Sequence, residues 1–121
     1  MATHNDLGNE GELRAQSYLR EQGYRIRHTN WRSKKNELDI VAEKDDLLVV
    51  VEVKTRSSEM FGHPIDAITD AKIRRIVAAT QAYIFKFDIK SEVRFDVIAV
   101  LLQKTSYTIE HIEDAFLAPM N

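Results

Sequence analysis

The chain contains no cysteine. That excludes a disulfide framework, a thiol nucleophile and a cysteine-ligated zinc site. It also agrees with a reducing, cytoplasmic setting. Only 4 Gly and 2 Pro occur, too few for a collagen-like or low-complexity chain. No apolar run approaches the roughly 20 residues that span a bilayer, so no membrane association is expected. Residues 1–12 are polar and lack the apolar core of a signal peptide. An excess of positive charge is missing too. The 17 Lys and Arg stand against 19 Asp and Glu, for a formal charge of -2. Bulk charge therefore does not draw this chain to nucleic acid, and such binding would need a local basic patch.

What is present is the profile of one globular domain over residues 1–121, with 44% hydrophobic and 30% charged residues. No repeat, linker or charged tail interrupts it. Residues 6–22 read as a helix, with Leu7, Gly11, Ala15, Tyr18 and Leu19 on one stripe and Gly23 placed to close it. Gly8 and Gly11 inside that helix each cost about 1 kcal/mol against Ala. Such a cost is offset where another backbone or a ligand comes close. Residues 24–32 alternate as a strand, 33–36 form a turn, and 37–43 form a second strand. Lys44-Asp45-Asp46 is a tight hairpin turn. The third strand, 47–54, opens with Leu47-Leu48-Val49-Val50-Val51, a run that predicts burial on both faces. A polar loop over 55–63 precedes a helix over 69–87 with its apolar stripe on Ile73, Ile76, Val77, Thr80, Ile84 and Phe87. Strands follow at 93–103 and 107–112. Short connections make the first three strands an antiparallel meander, and the second helix allows a crossover to a parallel fourth. The expected fold is α/β, a mixed, roughly five-stranded sheet covered by helices.

The chemistry is concentrated in residues 37–54. Residues two apart on a strand share a face, so Glu52 and Lys54 point the same way around Val53, as do Glu37 and Asp39 on the preceding strand. The hairpin brings Asp39 beside Glu52. Charges at the end of an apolar run are expensive to bury unless paired or bound to a metal. Mg²⁺ takes oxygen ligands at about 2.0–2.1 Å, usually a few carboxylates plus waters. Asp39, Glu52 and the carbonyl of Val53 supply such oxygens. Lys54 beside them would orient a metal-coordinated water and stabilise its deprotonated form, the chemistry of phosphodiester hydrolysis. The plainer reading is a solvated ion pair between Glu52 and Lys54, worth little to stability.

Asp39 followed by Glu52-Val53-Lys54 resembles the PD-(D/E)xK signature of restriction-endonuclease-like and Holliday-junction-resolvase-like nucleases. More of the chain is similar to the YraN-like bacterial family, grouped with those nucleases. The matching pieces are Gly11-Glu12, Asn30-Trp31-Arg32, Glu37-Leu38-Asp39-Ile40-Val41 and Val51-Glu52-Val53-Lys54-Thr55-Arg56, followed by Phe61-Gly62, Lys72 and Arg94-Phe95-Asp96-Val97-Ile98. The resemblance implies an α/β/α core, a restriction-endonuclease-like fold, a divalent metal (Mg²⁺ or Mn²⁺) and a nucleic-acid substrate, DNA. It carries metal binding onto Asp39 and Glu52, the catalytic lysine onto Lys54, and an orienting or second-metal carboxylate onto Glu12. Leu38 stands where the motif has Pro. Asn36 replaces a Gly that commonly precedes the Glu-x-Asp, and Asn tolerates a left-handed turn nearly as Gly does.

The basic turn Arg32, Lys34 and Lys35, with Arg56 and Lys72, offers phosphate contacts near the metal site. The plainer fates are a solvated turn for these cations, a helix-surface pair with Gln16 for Glu12, and a solvent-flanking position for Glu37. Trp31 and Tyr24 are expected in the core rather than stacked on bases. Asp96, in an apolar strand, is expected to be structural, held by Arg94 or a helix end. His4, His28, His63 and His111 show no zinc spacing. Three functions follow: an endonuclease for DNA of particular structure, branched DNA included; a nucleic-acid-binding module of the same fold without turnover; or a small cytoplasmic interaction domain. One site per chain cuts one strand, so a double-strand cut would call for a homodimer.

Overall fold

The computed structural model describes residues 4–57 and 68–116. Its elements are α1 (His4–Glu21), β1 (Arg25–Ser33), β2 (Asn36–Lys44), β3 (Leu47–Ser57), α2 (Asp70–Phe87), β4 (Glu92–Leu102) and β5 (Tyr107–Ile112). One five-stranded sheet runs in the order β1-β2-β3-β4-β5. The β1–β2 and β2–β3 pairs are antiparallel, β3 and β4 are parallel, and β5 returns antiparallel to β4. The sheet is the expected mixed one. β3 runs three residues further than its apolar pattern indicated, because β4 is equally long and pairs with it as far as Ser57↔Leu102. The rest of the expected 55–63 loop, with Phe61, Gly62 and His63, lies outside the described residues. Neither helix is long and apolar enough to cross a membrane.

Both helices are bounded by local chemistry. Gly23 adopts φ 92, and the amides of Gly23 and Tyr24 turn back to the carbonyls of Arg20 and Leu19 at 3.0 and 2.9 Å. Thr69 stands outside α2 as its N-cap, its hydroxyl accepting the Lys72 amide at 3.1 Å. Asp88, left-handed at φ 53, closes that helix.

The sheet separates two cores. On one face Ala15 and Leu19 of α1 pack with Ile40, Val49, Val51 and Ile98. On the other, Ile76, Ala79 and Tyr83 of α2 pack with Val41, Leu48 and Val50. β3 feeds alternate residues to both, as its apolar run requires. Tyr24 is buried in the first core, and the half-buried Trp31 packs on the second, meeting the rings of Tyr83 and Phe87. The layers are thus α/β/α.

The two-residue period breaks at a register shift between Ile26 and His28 on β1, and again further along β1 and β2. His28 and Trp31, three apart on β1, both reach Tyr83. Between them Asn30 takes the left-handed conformation, φ 52. On β2, Leu38 and Val41 likewise share the α2-side core although Ile40 lies in the other. The ladder between β2 and β3 begins only at Ile40↔Val51. Toward the start of β2 the two strands therefore part. The left-handed residue of the β1–β2 turn is Lys34, φ 57, and not Asn36, which already belongs to β2.

Gly11 and Gly8 differ in their surroundings. A Cβ on Gly11 would collide with Oγ1 of Thr55 and lie 2.8 Å from its Cβ, whereas one on Gly8 would meet nothing within 4 Å. The close approach expected of both glycines holds for Gly11 alone. Gly11→Ala should destabilise the protein by about 1–3 kcal/mol through overpacking. Gly8→Ala should stabilise it by about 0.5–1 kcal/mol through helix propensity. Urea unfolding of the two variants checks the pair, and equal effects would refute the packing assigned to Gly11.

Candidate active site

β2 begins and β3 ends at the same edge of the molecule, where the two strands part. Asp39 fills the gap. Its Oδ2 accepts the backbone N–H of Val53 at 2.9 Å, replacing a ladder bond with a side-chain bond. Glu52 is the last buried residue of β3, 6% exposed, and its Oε1 lies 3.5 Å from Nζ of Lys72. Glu12 arrives from the opposite face on α1, brought close by the contact of Gly11 with Thr55. The three carboxyls come from two faces of the sheet and meet because the strands separate between them. Glu12, Asp39, Glu52, Val53, Lys54 and Arg56 share one cavity of about 350 Å³ with neighbouring residues of α1 and β3. Every residue expected to bind metal or to act in catalysis is in that set.

Burial controls the electrostatics. It pushes the Glu52 carboxyl up to about 7, with the Asp39 charge adding to the effect and Lys72 and Lys54 opposing it. Glu12 is also pushed up to about 7 by burial, then by Asp39 and Glu37. Asp39 is raised by burial in spite of the Val53 amide and the two lysines. Three acids in a poorly solvated space cannot all ionise without further positive charge. One sign of that shortage is Oε1 of Glu12, which is buried without a hydrogen-bond partner. Buried acceptors are rarely left so.

A divalent cation would answer this donor set. Among the described residues no three His, Asp or Glu side chains form a ready-made metal group. Asp39 and Glu52 nevertheless fit a partial shell, because Mg²⁺ keeps several waters and is commonly held by one or two carboxylates with substrate phosphates. Val53 contributes its N–H to Asp39 and lines the cavity.

The basic residues divide. Arg32 pairs with Glu37 across β1 and β2 at 2.8 Å, in solvent. Lys34 and Lys35 sit in the exposed turn at the same end of the sheet as the cavity, without lining it. Arg56 lines the cavity and donates to the carbonyl of Thr55 at 3.0 Å. Lys72 is bound to Glu52. Sequence reasoning placed Lys72 among phosphate contacts and missed this partnership, which joins residues 20 apart on different elements. It also gave no role to Thr55. The strand parity that puts Thr55 on the α1 face, opposite Gly11, was the available signal.

A second buried acid serves as a contrast. Asp96 is fully buried in β4. Arg94 holds both its oxygens at 2.8 Å, His111 Nε2–H donates at 2.7 Å, and the Asp114 amide donates at 3.0 Å. Burial pushes its carboxyl up, but these donors outweigh burial and hold it below the usual range. It is structural, as expected, with His111 as an added partner.

The model of a family described as "Uncharacterised protein family UPF0102" matches residues 11–100. Relatives described as "UPF0102 protein" include one from Phocaeicola vulgatus, 56% identical over 99% of this chain and 99% of its own. Another from Parabacteroides distasonis is 52% identical over 98% of each chain. Among solved structures, one described as "Crystal structure of SSO0001" aligns with a TM-score of 0.41 at 20% identity, over 93% of this chain and 53% of that one.

The raised carboxyls predict a pH dependence of stability. Glu12 titrates near 7 when folded and near 4.5 when unfolded, so the folded state binds the proton more tightly. Its contribution is fully present below about pH 4.5 and is lost as pH rises through about 7. Glu12→Gln, which cannot ionise, should therefore gain stability relative to the wild type between pH 5 and pH 8.5. Urea midpoints at the two pH values check this, and a gap that stays constant would refute it.

Proposed function

The chain belongs to the family UPF0102, and from that premise we propose that it is a metal-dependent phosphodiesterase, an endonuclease for structured DNA. The observation that carries the reading is the meeting of Asp39, Glu52, Glu12 and Lys54 around one cavity, with a buried Glu12 oxygen left without a partner. Asp39 and Glu52 would hold Mg²⁺ or Mn²⁺. When bound, such a cation neutralises phosphate charge and makes water acidic enough to attack near neutral pH.

The chain's own residues do the rest. Asp39 is fixed by the Val53 amide, so its second oxygen keeps a set direction. Lys54, on the same strand as Glu52 and one residue beyond Val53, orients the attacking water and stabilises charge that develops as it attacks. Glu12, titrating near 7, is suited to take a proton from that water at neutral pH. Lys34 and Lys35 of the exposed turn, with Arg56 at the cavity, give the backbone phosphates their contacts, and Arg32 of β1 joins them only by leaving Glu37. A duplex cut on both strands would need two copies of the site.

The deciding experiment is incubation with branched, single-stranded and linear nucleic acids in Mg²⁺, Mn²⁺ or EDTA. Cleavage with a metal and none in EDTA is expected. Binding without cleavage would leave a nucleic-acid-binding module, and neither would leave an interaction domain.

Two further outcomes follow from the division of labour. Mg²⁺ should raise the melting temperature of the wild type and not that of Asp39→Ala. At 100 times the dissociation constant a ligand of the folded state alone stabilises by about 2.7 kcal/mol. Identical Mg²⁺ titrations of the two proteins in calorimetry would contradict the site. Separately, Lys54→Ala should abolish cleavage and leave affinity nearly unchanged. Lys34→Ala combined with Lys35→Ala should weaken binding and lower the salt slope by roughly 0.9 for each duplex phosphate that is no longer neutralised. Filter binding across a salt series, run beside the cleavage assay, separates these effects.

A further inference from the structure

Lys72 is placed where a lysine should not be comfortable. It lies in the first turn of α2, three residues after the N-cap Thr69, where the helix dipole is positive and favours anions. Its ammonium is held there by Glu52, 3.5 Å away. The pair is asymmetric. The Glu52 side chain is almost wholly buried, whereas the Lys72 side chain is about one-third exposed. Lysine is a point charge on a flexible four-carbon stem. It can leave Glu52 for the open side without moving the helix. Glu52 cannot follow it, being fixed in β3 beside Val51 and Val53.

We propose that Lys72 is a stand-in cation. It occupies Glu52 while no divalent ion is bound, is displaced when one arrives, and then contacts a phosphate of the nucleic acid. The inference rests on the reading of the site as a metal-dependent nuclease and adds an order of events: cation first, the Lys72 phosphate contact second. The charge balance favours this. Lys72 is the ammonium in contact with Glu52, and Lys54 follows Glu52 two residues on along β3. A divalent ion brings two charges where Lys72 brings one. Once Glu52 binds the ion, an ammonium at 3.5 Å from Glu52 becomes a like-charge neighbour of that ion and is driven outward. The Lys72 side chain is about one-third exposed, so solvent is open to the ammonium once it leaves Glu52.

The test uses the full chain with a blunt DNA duplex and Ca²⁺, a cation that takes the same carboxylate oxygens. Wild type, Lys72→Met and Asp39→Ala are compared by the salt slope of affinity, in Ca²⁺ and in EDTA. In EDTA, wild type and Lys72→Met should show the same slope, because Glu52 holds the ammonium. In Ca²⁺ the wild-type slope should exceed that of Lys72→Met by roughly 0.9, one duplex phosphate contact. Ca²⁺ itself should bind Lys72→Met more tightly, on the order of fivefold, since a competing unit charge is gone. A lysine that stays on Glu52 would give the same gain, so the appearance of the slope difference in Ca²⁺ alone is the deciding readout.

Equal slopes in Ca²⁺ would overturn the inference, as would a slope difference already present in EDTA. If Ca²⁺ effects vanish in Asp39→Ala while Lys72→Met matches wild type throughout, the metal site stands and only the role of Lys72 falls. If wild type binds neither Ca²⁺ nor DNA, the nuclease reading itself falls, and this inference with it. Lys72→Gln repeats the comparison should the methionine variant fold poorly.

Discussion

Everything at the cavity follows from the cost of placing acids at the end of a buried strand. β3 is apolar and buried from Leu48 to Val51, and Glu52 continues it without a break in burial. An ionised carboxylate there needs partners, or it keeps its proton. The surrounding structure supplies a little of each. Lys72 approaches from α2, Asp39 enters the gap left by the parted strands, and Glu12 is carried in by a helix that touches β3 through Gly11 and Thr55. None of these satisfies the group completely, so burial holds all three carboxyls above their usual range.

The buried acids of this fold show what complete satisfaction looks like and what its lack permits. Asp96 receives four hydrogen bonds from Arg94, His111 and the Asp114 amide. Its charge is fixed, and it ties β4 to β5 and to the turn after β5. Tyr24 and Tyr18 extend that network through Arg94 and His111 at 2.7 and 3.0 Å. A group so held has no capacity left for a ligand. Glu52 is buried and Glu12 half-buried among fewer donors, and their raised proton affinity is the consequence. Burial alone therefore does not raise an acid's proton affinity in this fold. A shortage of donors does.

The same geometry explains why the basic residues act at different levels. Arg32 is neutralised by Glu37 in solvent, where such a pair contributes little to stability. Lys34 and Lys35 stand in a turn whose left-handed residue, Lys34, keeps both side chains exposed. Arg56 lines the cavity, and Lys72 meets the cavity residue Glu52 from α2. A net charge of -2 is thus compatible with a local positive rim around an acidic centre.

The elements, their order and the mixed sheet were all legible in the residue pattern. The reason is that hydrophobic period, Gly23 as a helix stop and the Lys44-Asp45-Asp46 turn are local, and each could be read within a few residues. The run from Leu47 to Val51 also declared a strand buried on both faces. Because a strand has a period of two, Glu52 and Lys54 were legible as a pair, and a short hairpin was enough to bring Asp39 beside them. Folding in three dimensions settles the places where the period fails or where distant elements meet. The face switch between Leu38 and Ile40 comes where the β2–β3 ladder stops at Ile40↔Val51, and nothing in those residue types fixes that opening. Gly11 signalled a close approach without saying to what, and only packing revealed Thr55. Lys72 was expected as a phosphate contact, with no partner in the chain assigned to it. Its bond to Glu52 exists because the chain after β3 returns as α2 over the same strand end, a consequence of three-dimensional closure that no local pattern encodes.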